Sequence, residues 1–236
     1  MPELHSGRML ARPNRFVAEI ELSTGERVQA HVPNTGTLLT CWTPGAPVQL
    51  TRDDKPSRKL AWTLERVDMG GGWIGVNTLR PNQVMAEGIA AGAIAELAGY
   101  RRLRRELAVA LAGCAPGRID IALDGGSRPP ALVEVKNVTL LDGAYLRFPD
   151  AKTERGRKHL KLLAAAVAAG QRGVMLFALN RAEGACFAPA WDIDPKYGEA
   201  LLNAAAAGVE LLAVRLRHEP EAMTVGEAVV LDLGRP

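Results

Sequence analysis

Two short stretches of this chain place residue types together that can act on phosphodiesters. Arg118-Ile119-Asp120 opens one apolar segment, and Val133-Glu134-Val135-Lys136 closes the next. Residues two apart on a β-strand project from the same face, so Glu134 and Lys136 share one. If the Arg118 segment is an antiparallel neighbour, Asp120 lies beside Glu134. Two carboxylates converging at a sheet edge make a hard-oxygen site suited to Mg²⁺ or Mn²⁺. Such a cation lowers the pKa of a bound water and polarises a phosphodiester. Lys136 beside it would orient the water or offset charge building on the phosphate. The expected catalytic set is therefore Asp120, Glu134 and Lys136, with Asp120 and Glu134 as metal ligands. Glu87 and Glu106 are the candidates for a third ligand, and Glu87 is favoured because it falls on a predicted helix just upstream. A Glu-x-Lys at a strand end is also what an ordinary solvated edge looks like, and a single glutamate usually faces water.

Basic residues gather in two places, Arg101 to Arg105 and Lys152 to Lys161. In the second group, Arg155, Arg157, Lys158 and His159 span the start of a predicted helix, where backbone N–H groups and cationic side chains suit phosphate. A solvated helix face would look the same. Nucleic-acid contacts are expected from Arg155, Arg157, Lys158 and Arg118, and from Asn34 and Thr35. The last two sit in Pro33-Asn34-Thr35-Gly36, whose proline and glycine are also turn formers. Trp42, Trp62, Trp73 and Trp191 either stack on bases or fill the core.

The elements that must hold these groups fall into two textures. Before Pro81 the chain reads as five short strands: Phe16 to Leu22, Arg27 to Val32, Pro47 to Arg52, Lys59 to Val67 and Trp73 to Asn77. Alternation such as Ala18, Ile20 and Leu22 against Glu19 and Glu21 carries the reading. Five antiparallel strands in so short a span predict a small OB-like β-barrel, with an SH3-like barrel as the near alternative. From residue 81 onward the order is helix (Val84 to Ala98, stopped by Gly99), strands Leu103 to Val109, Arg118 to Leu123 and Ala131 to Val135, helix Thr153 to Ala169, strand Gly173 to Leu179, helix Pro195 to Ala207, strand Val209 to Leu216. A central mixed sheet flanked by helices is the packing such an order favours. The fold class expected is mixed α+β, with domains over 1–80 and 81–236.

Bulk properties narrow the function classes. The 236 residues, 47% hydrophobic, suffice for two modest cores. A net charge of +3 permits nucleic-acid binding without demanding it. The weakly polar run from Leu162 to Gly170 is too short to span a bilayer, so no membrane association is expected. Cys41, Cys114 and Cys186 are odd in number and widely spaced, which fits free thiols in a reducing, cytoplasmic setting and argues against a cysteine zinc site. No glycine-rich phosphate loop of the Walker or Rossmann kind is present.

Five segments, those above among them, carry a pattern over nearly the whole chain: His31-Val32-Pro33-Asn34-Thr35-Gly36, Ile74 to Leu79, Arg118-Ile119-Asp120, Val133 to Leu140, and Phe148-Pro149-Asp150 through Thr153-Glu154-Arg155-Gly156-Arg157-Lys158-His159-Leu160. In these the chain resembles the bacterial and archaeal sugar fermentation stimulation protein family. The resemblance implies an OB-like barrel joined to a C-terminal domain of the PD-(D/E)-x-K, restriction-endonuclease-like type. It implies DNA binding and a regulatory role in sugar utilisation such as maltose metabolism, and it carries the nuclease motif onto Asp120, Glu134 and Lys136. Lys152 departs from the family pattern, standing where a small aliphatic residue is expected. Expected partners are DNA and Mg²⁺ or Mn²⁺. The two function classes are a metal-dependent DNA nuclease and a non-catalytic DNA-binding regulator, with oligomeric state open and a homodimer one option.

Overall fold

The computed structural model describes residues 3–34 and 36–235. Strands β1 (His5–Asn14), β2 (Val17–Leu22), β3 (Arg27–His31), β4 (Pro47–Arg52) and β5 (Trp62–Asp68) form a barrel in the order β3-β2-β1-β4-β5. A parallel pairing of Ala30 with Trp62 and His31 with Thr63 joins β3 to β5 and closes the ring. β6 (Trp73–Gly75) extends it from β5. Closure removes the open edges that a small sheet would otherwise expose. Met9, Ile20, Leu50, Leu64, Val67 and Ile74 fill the barrel, each excluded from solvent.

The expected OB-like barrel is present, with one strand more than the sequence suggested. β1 reads HSGRMLARPN, and of its ten residues only Met9 is fully buried. It therefore lacks the alternation that marks β2. Gly7 is needed there, because a Cβ would meet the Glu21 carbonyl at 2.7 Å on the paired strand.

Only Val76 to Thr78 separate β6 from α1 (Leu79–Ala90). Pro81 falls in the first turn of α1, where a missing N–H costs nothing. The helix thus begins earlier than the expected Val84 and also ends earlier than Ala98. Gly92 takes φ +76°; its N–H bonds the Ile89 carbonyl and Ala93 N–H bonds the Gly88 carbonyl, a Schellman stop. Only a short 3-10 turn, Ala95–Leu97, follows.

The remaining elements are β7 (Arg102–Val109), β8 (Gly117–Asp124), β9 (Ala131–Val138), β10 (Leu140–Asp142), β11 (Tyr145–Phe148), α2 (Glu154–Ala168), β12 (Arg172–Leu179), β13 (Cys186–Pro189), α3 (Pro195–Ala206), β14 (Glu210–His218), β15 (Met223–Ala228) and β16 (Val230–Leu231). The main sheet has the order β15-β14-β12-β9-β8-β7. It is mixed: β9, β12 and β14 run parallel, while β7, β8 and β15 join antiparallel. α1 packs on one face over Ile121, Val133, Val135, Leu176 and Val214. α2 and α3 cover the other over Leu132, Met175, Phe177 and Leu179. A mixed-sheet α/β domain was expected, and it is what forms. β10, β11, β13 and β16 make a second, smaller sheet that the sequence reading missed, each strand being at most four residues long.

Helix ends follow their local chemistry. Thr153 caps α2 by accepting from Gly156 N–H at 3.0 Å, and Asp194 caps α3 by accepting from Tyr197 N–H at 3.1 Å. No helix of the described residues is long and apolar enough to cross a membrane. The three cysteines are free.

Candidate functional site

β8 and β9 pair only at Ile121–Val133, Ala122–Leu132 and Leu123–Ala131, and then diverge. At the point of divergence Asp120 Oδ2 accepts from Val135 N–H at 2.8 Å, a side chain standing in for a ladder carbonyl. Asp120 Oδ1 accepts from the Asn82 amide of α1 at 2.8 Å. β9 continues alongside β12 as far as Val138, so Glu134 and Lys136 remain on one face of a rigid central strand. The two carboxylates and the lysine open into one cleft of about 440 Å³ between the barrel and the α/β domain.

Glu134 is 1% exposed. Its Oε1 accepts from Lys136 Nζ at 2.5 Å and also contacts His159 Nδ1 on α2. Its Oε2 is buried and makes no hydrogen bond among the described residues. Burial alone would raise the Glu134 carboxyl, but the His159 hydrogen bond and the Lys136 ammonium outweigh it and hold the group low. Asp120 goes the other way. Burial and the neighbouring Glu134 charge push it up to about 6, against the opposing pull of Val135 N–H and Lys136. Two neighbouring acids shifted in opposite directions are a pattern that clusters at functional sites.

The walls of the cleft come from both domains. Arg15, Asn34 and Gly36 line it from the barrel, and Arg147, Lys152 and Arg155 from the α/β domain. Asn34 is 8% exposed and committed to shaping its loop: Oδ1 accepts from Gly36 N–H at 2.8 Å and Nδ2 donates to the Val76 carbonyl at 3.2 Å. Thr35 lies outside the described residues. Arg147 is held at the cleft by Asp142 and Asp192.

Several expected residues lie elsewhere. Glu87 is exposed, accepts from Gln83 Nε2 at 2.8 Å, and does not line the cleft. The early start of α1 points Asn82 at the site instead, and five residues on, a helix has turned well away. Glu106 sits opposite Asp120, between the pairs Leu107–Ile119 and Arg105–Ile121, with φ +53° and with Arg118 at 3.8 Å. No group of three or more acidic, histidine or cysteine side chains is close enough to hold a metal among the described residues. Arg157 turns inward to pair with the buried Asp194 at 3.0 Å, Lys158 pairs along the helix with Glu154 at 2.9 Å, and Arg118 is exposed outside the cleft. None of the four tryptophans lines it; Trp62 and Trp191 are buried. Sequence reasoning missed Asn82, Arg15 and Arg147, and took His159 for a surface base. Only the i,i+4 spacing of Arg155 and His159 hinted that they share a helix face.

A family model described as the sugar fermentation stimulation protein RE domain matches residues 79–222, and one described as the SfsA N-terminal OB domain matches residues 10–76. The chain belongs to the sugar fermentation stimulation protein family. Curated relatives are similar over nearly their whole length. A sugar fermentation stimulation protein homolog of Geobacter sulfurreducens is 45% identical over 98% of this chain and 97% of its own. One of Geotalea uraniireducens is 46% identical over 94% of each. Among solved structures, that of Pyrococcus furiosus SfsA in complex with Ca²⁺ superposes with a TM-score of 0.86 at 26% identity, covering 98% of this chain and 97% of the other.

Proposed function

We propose that the cleft binds DNA and hydrolyses phosphodiester bonds with a divalent cation, Mg²⁺ or Mn²⁺, as a PD-(D/E)-x-K site would. The observation that carries this reading is the bare, buried Oε2 of Glu134 beside an Asp120 carboxyl held up to about 6. A buried carboxylate oxygen without a partner, with a second carboxylate next to it, fits a hard cation. The Ca²⁺ named for the Pyrococcus furiosus relative is a cation of that kind and supports the reading. Backbone carbonyl, water and phosphate oxygens would complete so small a protein donor set.

When bound, the cation supplies an acidified water and polarises the phosphodiester. Asp120 and Glu134 Oε2 hold it from the protein side. Lys136 Nζ, 14% exposed and anchored on Glu134, offsets charge on a phosphate oxygen at the same spot. Arg15, Lys152 and Arg155 meet flanking phosphates from both walls, so the barrel acts as one side of the cleft. Incubation with single-stranded, duplex and branched DNA in Mn²⁺, Mg²⁺ or EDTA tests this, with Asp120→Ala alongside. Metal-dependent cleavage lost in the variant supports the nuclease.

The alternative is a non-catalytic DNA-binding regulator of sugar-metabolism genes. It draws support from the missing third carboxylate among the described residues. Binding of DNA without cleavage of any substrate in any cation would favour it.

A further inference from the structure

Glu134 presents its two oxygens very differently. Oε1 is engaged twice, by Lys136 Nζ and by His159 Nδ1, while Oε2 has no partner. His159 lies on the inner side of α2, 8% exposed, and both of its ring nitrogens are occupied. Arg155 Nε, one helical turn earlier, donates to His159 Nε2 at 3.4 Å. A ring nitrogen that accepts carries no proton in the neutral imidazole, so Nδ1 carries it and donates to Glu134. Lys136 Nζ packs 3.3 Å from the same Nδ1, closing the group from the strand side.

Resting on the nuclease reading above, we propose that His159 is the positioning residue of the cation site. Its Nδ1–H fixes one oxygen of Glu134 and so turns the other, Oε2, toward the cation. The order of donation is Arg155 to His159 to Glu134, running from the cleft wall to the buried carboxylate. Without that bond Glu134 keeps only the lysine, a flexible donor from its own strand that follows the carboxylate as it rotates. His159 touches neither cation nor phosphate; it acts through Glu134. Support of this kind behind a metal-binding carboxylate typically changes affinity by about 10- to 100-fold.

Isothermal titration of the full chain with Mn²⁺ alone, without DNA, reads this directly. His159→Ala is expected to weaken Mn²⁺ by about 10- to 100-fold. The two amide variants discriminate a donor from a space filler. In His159→Asn the side-chain NH₂ falls where Nδ1 was, so affinity stays within about threefold of the wild type. In His159→Gln the amide reaches the Nε2 position, and the loss matches that of alanine. Thermal melts of the Asn and Gln variants show whether both fold, so the comparison stands even if alanine does not. Wild-type affinity in His159→Ala, or equal losses in Asn and Gln, would overturn the positioning role and leave the cation site standing. A wild-type chain that takes up no Mn²⁺ would overturn the nuclease reading as well.

Discussion

Asp120 accepts the Val135 backbone N–H at 2.8 Å where β8 leaves β9, so one carboxylate both ends a strand pairing and faces the cleft. The bond ties it in place while burial and Glu134 raise its pKa from 3.8 to about 6. Between those values the native state binds more protons than the unfolded chain. Asp120 by itself therefore lowers the unfolding free energy of the metal-free protein as pH rises through that window, levelling above about 6. The Asp120 contribution to that loss is up to about 3 kcal/mol. Asp120→Asn removes it; Asn82 turns its amide to keep the bond, and the variant melts higher than wild type at pH 7. Melting curves of both proteins in EDTA from pH 4 to 8 check this, and a constant difference across the range would count against it.

Asp150 joins the two domains beside the cleft. Its carboxylate accepts from Leu38 N–H at 3.3 Å, and its carbonyl accepts from Thr37 Oγ1 at 3.1 Å. A Cβ at Gly36 would collide with that carboxylate. Gly36→Ala is expected to cost about 1–3 kcal/mol, the usual cost of overpacking. Adding Asp150→Ala opens the space, so the double variant loses less than the sum by at least about 0.5 kcal/mol. Denaturant titration of the four proteins measures the coupling.

Arg66 is 1% exposed, and the carbonyls of Glu219 and Pro220 accept from its guanidinium at 2.8 and 2.9 Å. It also lies over Trp73, 4.9 Å from the ring centroid. It thus pins the barrel to the turn between β14 and β15. Arg66→Met keeps the stem but leaves the two carbonyls unpaired, and is expected to destabilise by about 2–4 kcal/mol. The urea midpoint should fall with the m-value unchanged.

Cleft-lining and inward-turned cations should separate in their salt response. Arg15→Ala and Lys152→Ala each lower the slope of log K against log[salt] for DNA by about 1. Arg157→Ala leaves that slope alone and lowers the melting temperature, because Asp194 loses its charge partner while still capping α3. Fluorescence titration at several salt concentrations distinguishes the two kinds.

Much of the site was legible locally. Strand parity put Glu134 and Lys136 on one face, and an antiparallel neighbour brought Asp120 beside them. The helix beginning near Thr153 and the alternation of β2 were equally readable, since each depends on residues a few positions apart. What the tertiary structure decided depends on partners far along the chain. Arg157 faces inward because Asp194 waits 37 residues later. Asn82 displaces Glu87 because α1 starts at Leu79 and is phased by its packing on β8 and β9. β1 is a strand because its neighbours pair it on both sides, against a sequence with one buried residue in ten. His159 became visible only when α2 packed on the sheet and set it against Glu134. Periodicity tells which face of an element is apolar; which polar groups meet across the interface is set by docking, and docking is not local.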